Sequence, residues 1–401
     1  MKYIHLFIIS ILISGFIIII DTESQETSAT TWQKLSVENA TQLISAFEFQ
    51  LETPVDLAHS SVYIDNLHII PNTSYLFIAY KDRDTRQRFA PMWQIWDFET
   101  QELVFSENSS AETIAFSPDG QFFALRETFQ KAETKLCLWR LDGFTRLNCW
   151  NSGSISDNSF HPTNDLFFFY RPVEGDSIYE LIIWDIASNQ ALYIIDDANE
   201  WNFNPTNDYQ IVASNADIVR VWDIQNGIKE VFKYRIGDEV IVSNIIFDVS
   251  AENLFFLTFS LIDSTDHLNR LNVESSAIKT KSGRVFNDYE LFSRLYVRLF
   301  AFVSDDYFNF EWVDGLTYSV VRDMTRVYIL DDNLNQDLLL TISYDEPLGD
   351  DIFVVQDLYT AQIYATLPYI PYQDVQFTQD ERFIIAYTED GHVQLWGVPV
   401  E

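Results

Sequence analysis

The sequence predicts an all-β protein in which one large domain repeats a unit of four short antiparallel strands, and three features carry that reading. Apolar residues make up 47% of the chain and aromatics 15%, led by 32 Phe and 20 Tyr, which is enough bulk for a sizeable core and too much for wholesale disorder. Turn motifs rich in Pro, Asn, Asp and Gly recur along the chain, each opening onto a short apolar run with the length and β-branched or aromatic content of a buried strand. A tryptophan-bearing segment returns about every 43 residues, and self-similarity at such a period marks a repeat architecture. The 401 residues suit two or three ordinary domains or one large repeat ring.

From the N-terminus, the first element is an apolar, charge-free run, Leu6 to Ile20, with Lys2 before it and Asp21 and Glu23 after it. That charge order suits a segment inserted with its N-terminus inside, delivering the rest across a membrane. Residues 1–24 therefore read as a signal peptide or a membrane anchor, with a buried core helix as the plain alternative, and residues 25–401 as a single domain. After the leader, only Val37 to Phe47 has helical periodicity; it overlaps Leu43 to Leu51, a spare apolar segment read as a strand.

Five units follow one layout. Their turns are IIPNTS (Ile69 to Ser74), FSPDG (Phe116 to Gly120), FHPTND (Phe160 to Asp165), FNPTND (Phe203 to Asp208) and FTQDER (Phe377 to Arg382). The strands YLFIAY, FFALR, LFFFY, QIVAS and FIIAY come next. A variable polar connection leads to a third strand centred on Trp96, Trp139, Trp184, Trp222 or Trp396. A second turn, such as Asp142-Gly143 or Asn226-Gly227, then introduces a fourth strand.

With Trp96-Asp97, Trp184-Asp185 and Trp222-Asp223 in place, the chain resembles a WD-repeat β-propeller of the divergent bacterial extracytoplasmic kind. The segment Ser214 to Gly227 matches the family pattern most closely. The resemblance implies that Asp217, and Asp390 in the last repeat, help fix a turn by hydrogen bonds. The Gly-His pair that often opens a family repeat is absent, so the family's full hydrogen-bonded tetrad cannot form and the blades must rely on aromatic packing. The likeness covers about Leu35 to Glu401, with specific motifs in five units and spacing alone in three.

Those three units extend the ladder through Leu271, Trp312 and Gln356, giving successive steps of 43, 45, 38, 49, 41, 44 and 40 residues. The expectation is an eight-bladed propeller of four-stranded antiparallel blades, or seven blades if Lys281 to Met324 is an insertion. The last unit ends just after its third strand. The N-terminal strand Leu43 to Leu51 is therefore expected to complete it and close the ring, leaving no open edge.

Chemistry is sparse. No H-E-x-x-H, G-x-S-x-G, Walker loop or G-x-G-x-x-G motif occurs, and the six histidines, His5, His59, His68, His161, His267 and His392, lack metal-ligand spacing. His161 reads as a turn residue. Asp331, Asn333 and Asn335 in DDNLNQD resemble the start of a cation loop, but Gln336 and Ile342 stand where a glycine and an acidic ligand are required, so a solvated turn is favoured. The acidic pairs Asp196-Asp197, Asp305-Asp306 and Asp350-Asp351 read the same way. Three sequons, at Asn39, Asn72 and Asn108, read as chance occurrences.

The two cysteines, Cys137 and Cys149, flank the Asp142-Gly143 turn, and an oxidising compartment would permit a cross-strand disulfide. A two-residue hairpin would set Cys137 opposite Asn148 with the sulfurs on opposite faces, whereas a three- or five-residue loop would set the cysteines opposite each other and place Arg140 beside Arg146. The register is left open.

With 60 acidic against 25 basic side chains the net charge is -35, which repels a polyphosphate backbone and excludes nucleic acid as the expected partner. No catalytic, cofactor or metal residues are assigned and no cofactor is expected. The expected function is a non-catalytic, exported or membrane-tethered scaffold, monomeric, binding a protein or small ligand. The alternative is a propeller enzyme (hydrolase, lyase or dehydrogenase) with its site at the central channel. The long connections Lys81 to Pro91 and Arg171 to Tyr179 are the expected ligand-bearing loops.

Overall fold

Alternating short apolar runs and tight turns leave the backbone one economical way to satisfy its N–H and C=O groups, which is to pair each run with the next. The computed structural model describes residues 31–400 apart from connecting segments, the longer of which are 52–61, 83–91, 174–178, 261–265, 283–298, 304–308, 315–319 and 369–373. Residues 1–24, read above as a signal peptide or membrane anchor, lie outside the described residues. The fold is all-β, built of consecutive antiparallel sheets, several of them four-stranded, and is consistent with a propeller-like arrangement.

In chain order, β1 (Trp32–Gln33) and β2 (Ile44–Gln50) precede the first sheet, β3 (Val62–Ile69), β4 (Tyr75–Asp82), β5 (Met92–Asp97) and β6 (Glu102–Glu107). The second contains β7 (Ser110–Phe116), β8 (Phe122–Thr128), β9 (Thr134–Arg140) and β10 (Thr145–Trp150). The third has β11 (Leu166–Pro172), β12 (Tyr179–Asp185) and β13 (Gln190–Asp196), and the fourth β14 (Glu200–Asn204), β15 (Asn207–Asn215), β16 (Ile218–Asp223) and β17 (Lys229–Arg235). The fifth comprises β18 (Val240–Phe247), β19 (Asn253–Ser260), β20 (Asp266–Asn272) and β21 (Ile278–Ser282). The sixth has β22 (Leu299–Val303), β23 (Asn309–Asp314) and β24 (Val320–Thr325). The seventh is β25 (Tyr328–Asn333), β26 (Leu338–Asp345), β27 (Asp350–Asp357) and β28 (Ile363–Leu367). The last holds β29 (Asp374–Phe377), β30 (Phe383–Tyr387) and β31 (His392–Pro399), joined by β1 and β2.

Each ladder residue lies on a different sheet: Trp96 on β5, Trp139 on β9, Trp184 on β12, Trp222 on β16, Leu271 on β20, Trp312 on β23, Gln356 on β27 and Trp396 on β31. Among the described residues, at least four strands are found in every sheet but two. In the third, the polar stretch before β11 makes only isolated bridges, Ser154 with Tyr170 and Phe160 with Phe167, because SISDNS offers little apolar surface to hold a ladder. In the sixth, β22 is the first described strand, and residues 283–298 before it lie outside the described residues.

One irregularity recurs. The strand that follows the ladder strand carries an extra residue directly beyond the partner of the ladder residue: Val104 in β6, Leu147 in β10, Leu192 in β13, Val231 in β17 and Tyr364 in β28. Such a bulge sharpens the local twist and re-aims the strand. In the last sheet Trp396 pairs with Ser45 and Leu395 with Phe47, so Ala46 of β2 is skipped in the same way. The N-terminal strand thus takes the outer place in the last sheet, bulge included, as its apolar segment leads one to expect. Helical periodicity in Val37 to Phe47 yields only a short 3-10 turn, Ala40–Gln42.

Packing follows from strand alternation, which gives each sheet two apolar faces. Phe77, Trp93 and Ile95 of the first sheet meet Phe123, Leu125 and Trp139 of the second; Leu136 and Leu138 meet Phe167 and Phe169 of the third; Phe168 and Ile183 meet Trp201 and Phe203 of the fourth; Val212 and Val221 meet Leu254 and Phe256 of the fifth. At the other end of the chain, Leu338 and Val355 of the seventh sheet meet Ile384 and Trp396 of the last, whose Phe383 and Leu395 meet Ile78 and Leu76 of the first.

The register around the cysteines corrects both hairpins considered from sequence. Arg140 pairs with Thr145, so the loop holds four residues, and the bulge at Leu147 shifts the ladder by one to set Cys149 opposite Cys137. Their sulfurs are bonded. Arg146 faces Trp139 rather than Arg140.

Candidate functional site

Antiparallel alternation sends the turn that follows each ladder strand, and the turn two strands before it, to one end and the remaining connections to the other. The two ends differ. At the first, connections run from two residues (205–206) to five (70–74, 117–121 and 378–382). These turns are also bonded to one another. The Asn72 side chain donates to the Pro118 carbonyl at 2.8 Å, the Asp380 carboxylate accepts the Asn72 N–H at 3.1 Å, and Arg382 donates to the Thr73 carbonyl at 2.9 Å. Gly120 takes a φ of +69°, and a Cβ there would collide with the Pro71 carbonyl, so FSPDG needs its glycine for close approach.

His161 belongs to this clasp. It is buried, with Nδ1 2.7 Å from the Thr163 hydroxyl and Nε2 2.9 Å from the carbonyl of Asp208 at the start of β15 in the next sheet. It therefore acts as a turn residue that ties the third and fourth sheets.

The opposite end carries the longest connections between described strands of one sheet, among them 83–91. The predicted loops Lys81 to Pro91 and Arg171 to Tyr179 leave from this end, but most of their length lies outside the described residues. Of what is described, Tyr179 at the start of β12 is exposed, as are Ile241 and Phe259, which face each other across β18 and β19. Lys81 holds Asp65 at 2.8 Å, and that partnership raises the lysine's pKa. Tyr80, Tyr170 and Tyr387 are buried near the same end, and burial pushes all three phenols up, so they stay neutral in the physiological range.

Sequence reasoning missed a buried polar network between the first two sheets. Glu127, fully buried on β8, accepts the Trp139 indole N–H at 2.6 Å, the Ser109 hydroxyl at 3.3 Å and the Arg146 guanidinium at 3.1 Å. Arg146 lies 4.4 Å over the Trp139 ring, and Trp93 donates to Ser109 at 3.1 Å. The only sequence signal was an acid closing an apolar strand, FFALRE. Burial raises the Glu127 pKa, against the opposing pull of Arg146 and of the Trp139 bond. The folded chain then binds this proton more tightly than the unfolded chain above the ordinary glutamate value of 4.5. Stability from the group is complete below that value and declines as pH rises through the folded pKa. Glu127→Gln keeps an acceptor for Trp139 and removes the titration, so the wild type's advantage over the variant should shrink from pH 4.5 to pH 8 when urea midpoints are compared. An advantage that grows with pH would reverse the sign.

Other tryptophans bear on the family resemblance. Trp96 donates to Gln94 of its own strand, whereas Trp184 and Trp222 have buried indole N–H groups without partners. With no hydrogen-bonded tetrad around them, these rings act through packing: Trp184 meets Trp150 edge-on at 4.9 Å. Asp217 pairs its carboxylate with Arg235, and Asp390 lies outside the described residues.

Among the described residues no group of three or more His, Cys, Asp and Glu stands together as metal ligands would. Asp331 and Asn333 fall inside β25, and 334–337 lie outside the described residues, as do Asp197, Asp305 and Asp306. The sequon residues Asn39 and Asn72 both spend their side-chain nitrogen on backbone carbonyls, Lys34 and Pro118.

No protein-family model matches the chain, and no curated protein matches it. Among solved structures it is similar to the crystal structure of the computationally designed Ika8 protein, with a TM-score of 0.51 and 14% identity over 85% of this chain and 97% of that one. At that identity the likeness is one of fold.

Proposed function

We propose that this chain is a divergent WD-repeat-like β-propeller of eight blades, closed by β2, that serves as an exported or membrane-tethered binding scaffold without catalysis of its own. The difference between its two ends carries this reading. One end is locked by short turns bonded from sheet to sheet, while the other bears the longest connection between paired strands, 83–91, with exposed Tyr179, Ile241 and Phe259 on strands at that end. Loops on a rigid frame can vary without cost to the core, and exposed aromatics beside them are what a partner surface buries. A net charge of -35 selects a neutral or cationic protein or small ligand and disfavours nucleic acid.

Closure has its own support. The bulged outer strand of the last sheet is supplied by β2, and the last sheet packs on the first. The Trp-Asp pairs and the eightfold ladder support the family assignment.

The test joins capture from the native cell envelope with turnover. Purified chain should retain a specific envelope component and lose it when Tyr179→Asp and Phe259→Asp are combined, with the melting curve unchanged, and should bind no DNA at moderate salt. Robust hydrolase, lyase or dehydrogenase turnover, abolished by changing one channel residue, would replace the scaffold with an enzyme.

A further inference from the structure

We propose that the Cys137–Cys149 bond is a redox latch on β10, and that a dithiol reductant opening it frees residues 145–160 while the remaining sheets stay folded. β10 is the outermost strand of its sheet and its backbone pairs through β9 alone, so it is held by that one ladder, the disulfide and the side-chain contacts of Arg146 and Trp150. Residues beyond it hold no ladder of their own: the chain crosses to the third sheet through two isolated bridges.

What the strand carries makes its release consequential. Arg146 brings the cation to buried Glu127, and Trp150 wedges against the third sheet, 4.4 Å from Phe169 and 4.9 Å from Trp184. Between them, Cys149 is half-buried and Cys137 fully buried. Gly153 passes so close to Leu136 of β9 that a side chain there would clash. Loss of the bond removes one charged contact and one aromatic wedge together.

The exchange balances. A thiolate of the reductant attacks Sγ of Cys149, the more accessible sulfur; a new S–S bond forms as the bond to Cys137 breaks, and Cys137 leaves as a thiolate that takes a proton. The reductant's second thiolate then displaces Cys149, closing the reductant's own disulfide. The net change is one dithiol oxidised and two protein thiols formed.

The experiment follows hydrogen exchange in the full chain with and without dithiothreitol, alongside alkylation of native protein. Reduction should yield two alkylatable thiols and lower protection across 145–160 by roughly tenfold or more, while β4 and β5 keep theirs. The Cys137→Ser, Cys149→Ser double variant should show the same exposed segment and no response to the reductant; if it fails to fold, the wild-type comparison stands alone. Two titratable thiols in unreduced, denatured protein, or protection at 145–160 that survives reduction, would overturn the latch.

Discussion

Deleting residues through Leu51 should leave a chain that aggregates or melts at a markedly lower temperature. The deletion removes β2, which runs along β31 from Ile44 against Gly397 to Gln50 against His392, and so strips one whole edge of the last sheet. It also removes buried side chains from two interfaces at once. Phe49 and Leu51 belong to the cluster joining the last sheet to the first, and Leu35 and Ala40 to the cluster joining it to the seventh. Phe47 packs edge-on to Phe98 at 5.0 Å and lies against Trp32 at 5.8 Å. Each large apolar side chain so lost is worth roughly 1.5–3 kcal/mol, against a total stability of order 5–15 kcal/mol. The bared edge of β31 adds a template for aggregation. A melting curve matching the full chain would show that the last sheet is completed by something other than β2.

Trp93→Ala should cost about 3–5 kcal/mol, the range for removing a fully buried large aromatic. Trp93 is the hub of the interface between the first two sheets, edge-on to Trp139 at 5.3 Å and to Phe123 at 5.9 Å, and 5.4 Å from Phe77. Its indole N–H also holds Ser109, which in turn donates to Glu127, so the substitution leaves a buried hydroxyl short of a donor. Trp184→Phe makes the contrast, because that indole N–H has no partner to lose. Urea denaturation of Trp93→Phe beside Trp184→Phe, which remove the same atoms, checks the difference; equal losses from these two would mean that ring volume alone, and not the network, sets the stability of the interface.

The ladder residues were legible because each sheet needs a bulky third-strand side chain where it meets its neighbour, a demand that repeats with the sheet. Leu271 and Gln356 could be placed by interval even though they are not aromatic. The outer strand of the last sheet was legible for a different reason: an apolar segment with nothing local to pair with must find a distant edge. Register at the cysteines was not legible, since one extra residue in β10 decides which face each sulfur takes, and a bulge leaves no mark in composition. Comparing Val104, Leu147, Leu192 and Tyr364, each eight residues beyond its ladder residue, would have exposed it. Glu127 was missed because a charge at the end of an apolar strand normally reaches water. Here Trp139, Arg146 and Ser109 arrive from three other stretches of chain to satisfy it, and no local pattern announces that convergence.

Because β1 also pairs with β31, Trp32 against Pro399, the backbone N–H of Val400 comes to donate to the Thr31 carbonyl at 2.8 Å. The two limits of the described residues are thus stitched side by side. A circular permutant that joins residues 31 and 400 through a few flexible residues, and opens new ends within 83–91, would preserve every strand pairing described above. Its order of synthesis would change: β2 would be made directly after β31, its partner, instead of waiting for the whole chain to emerge.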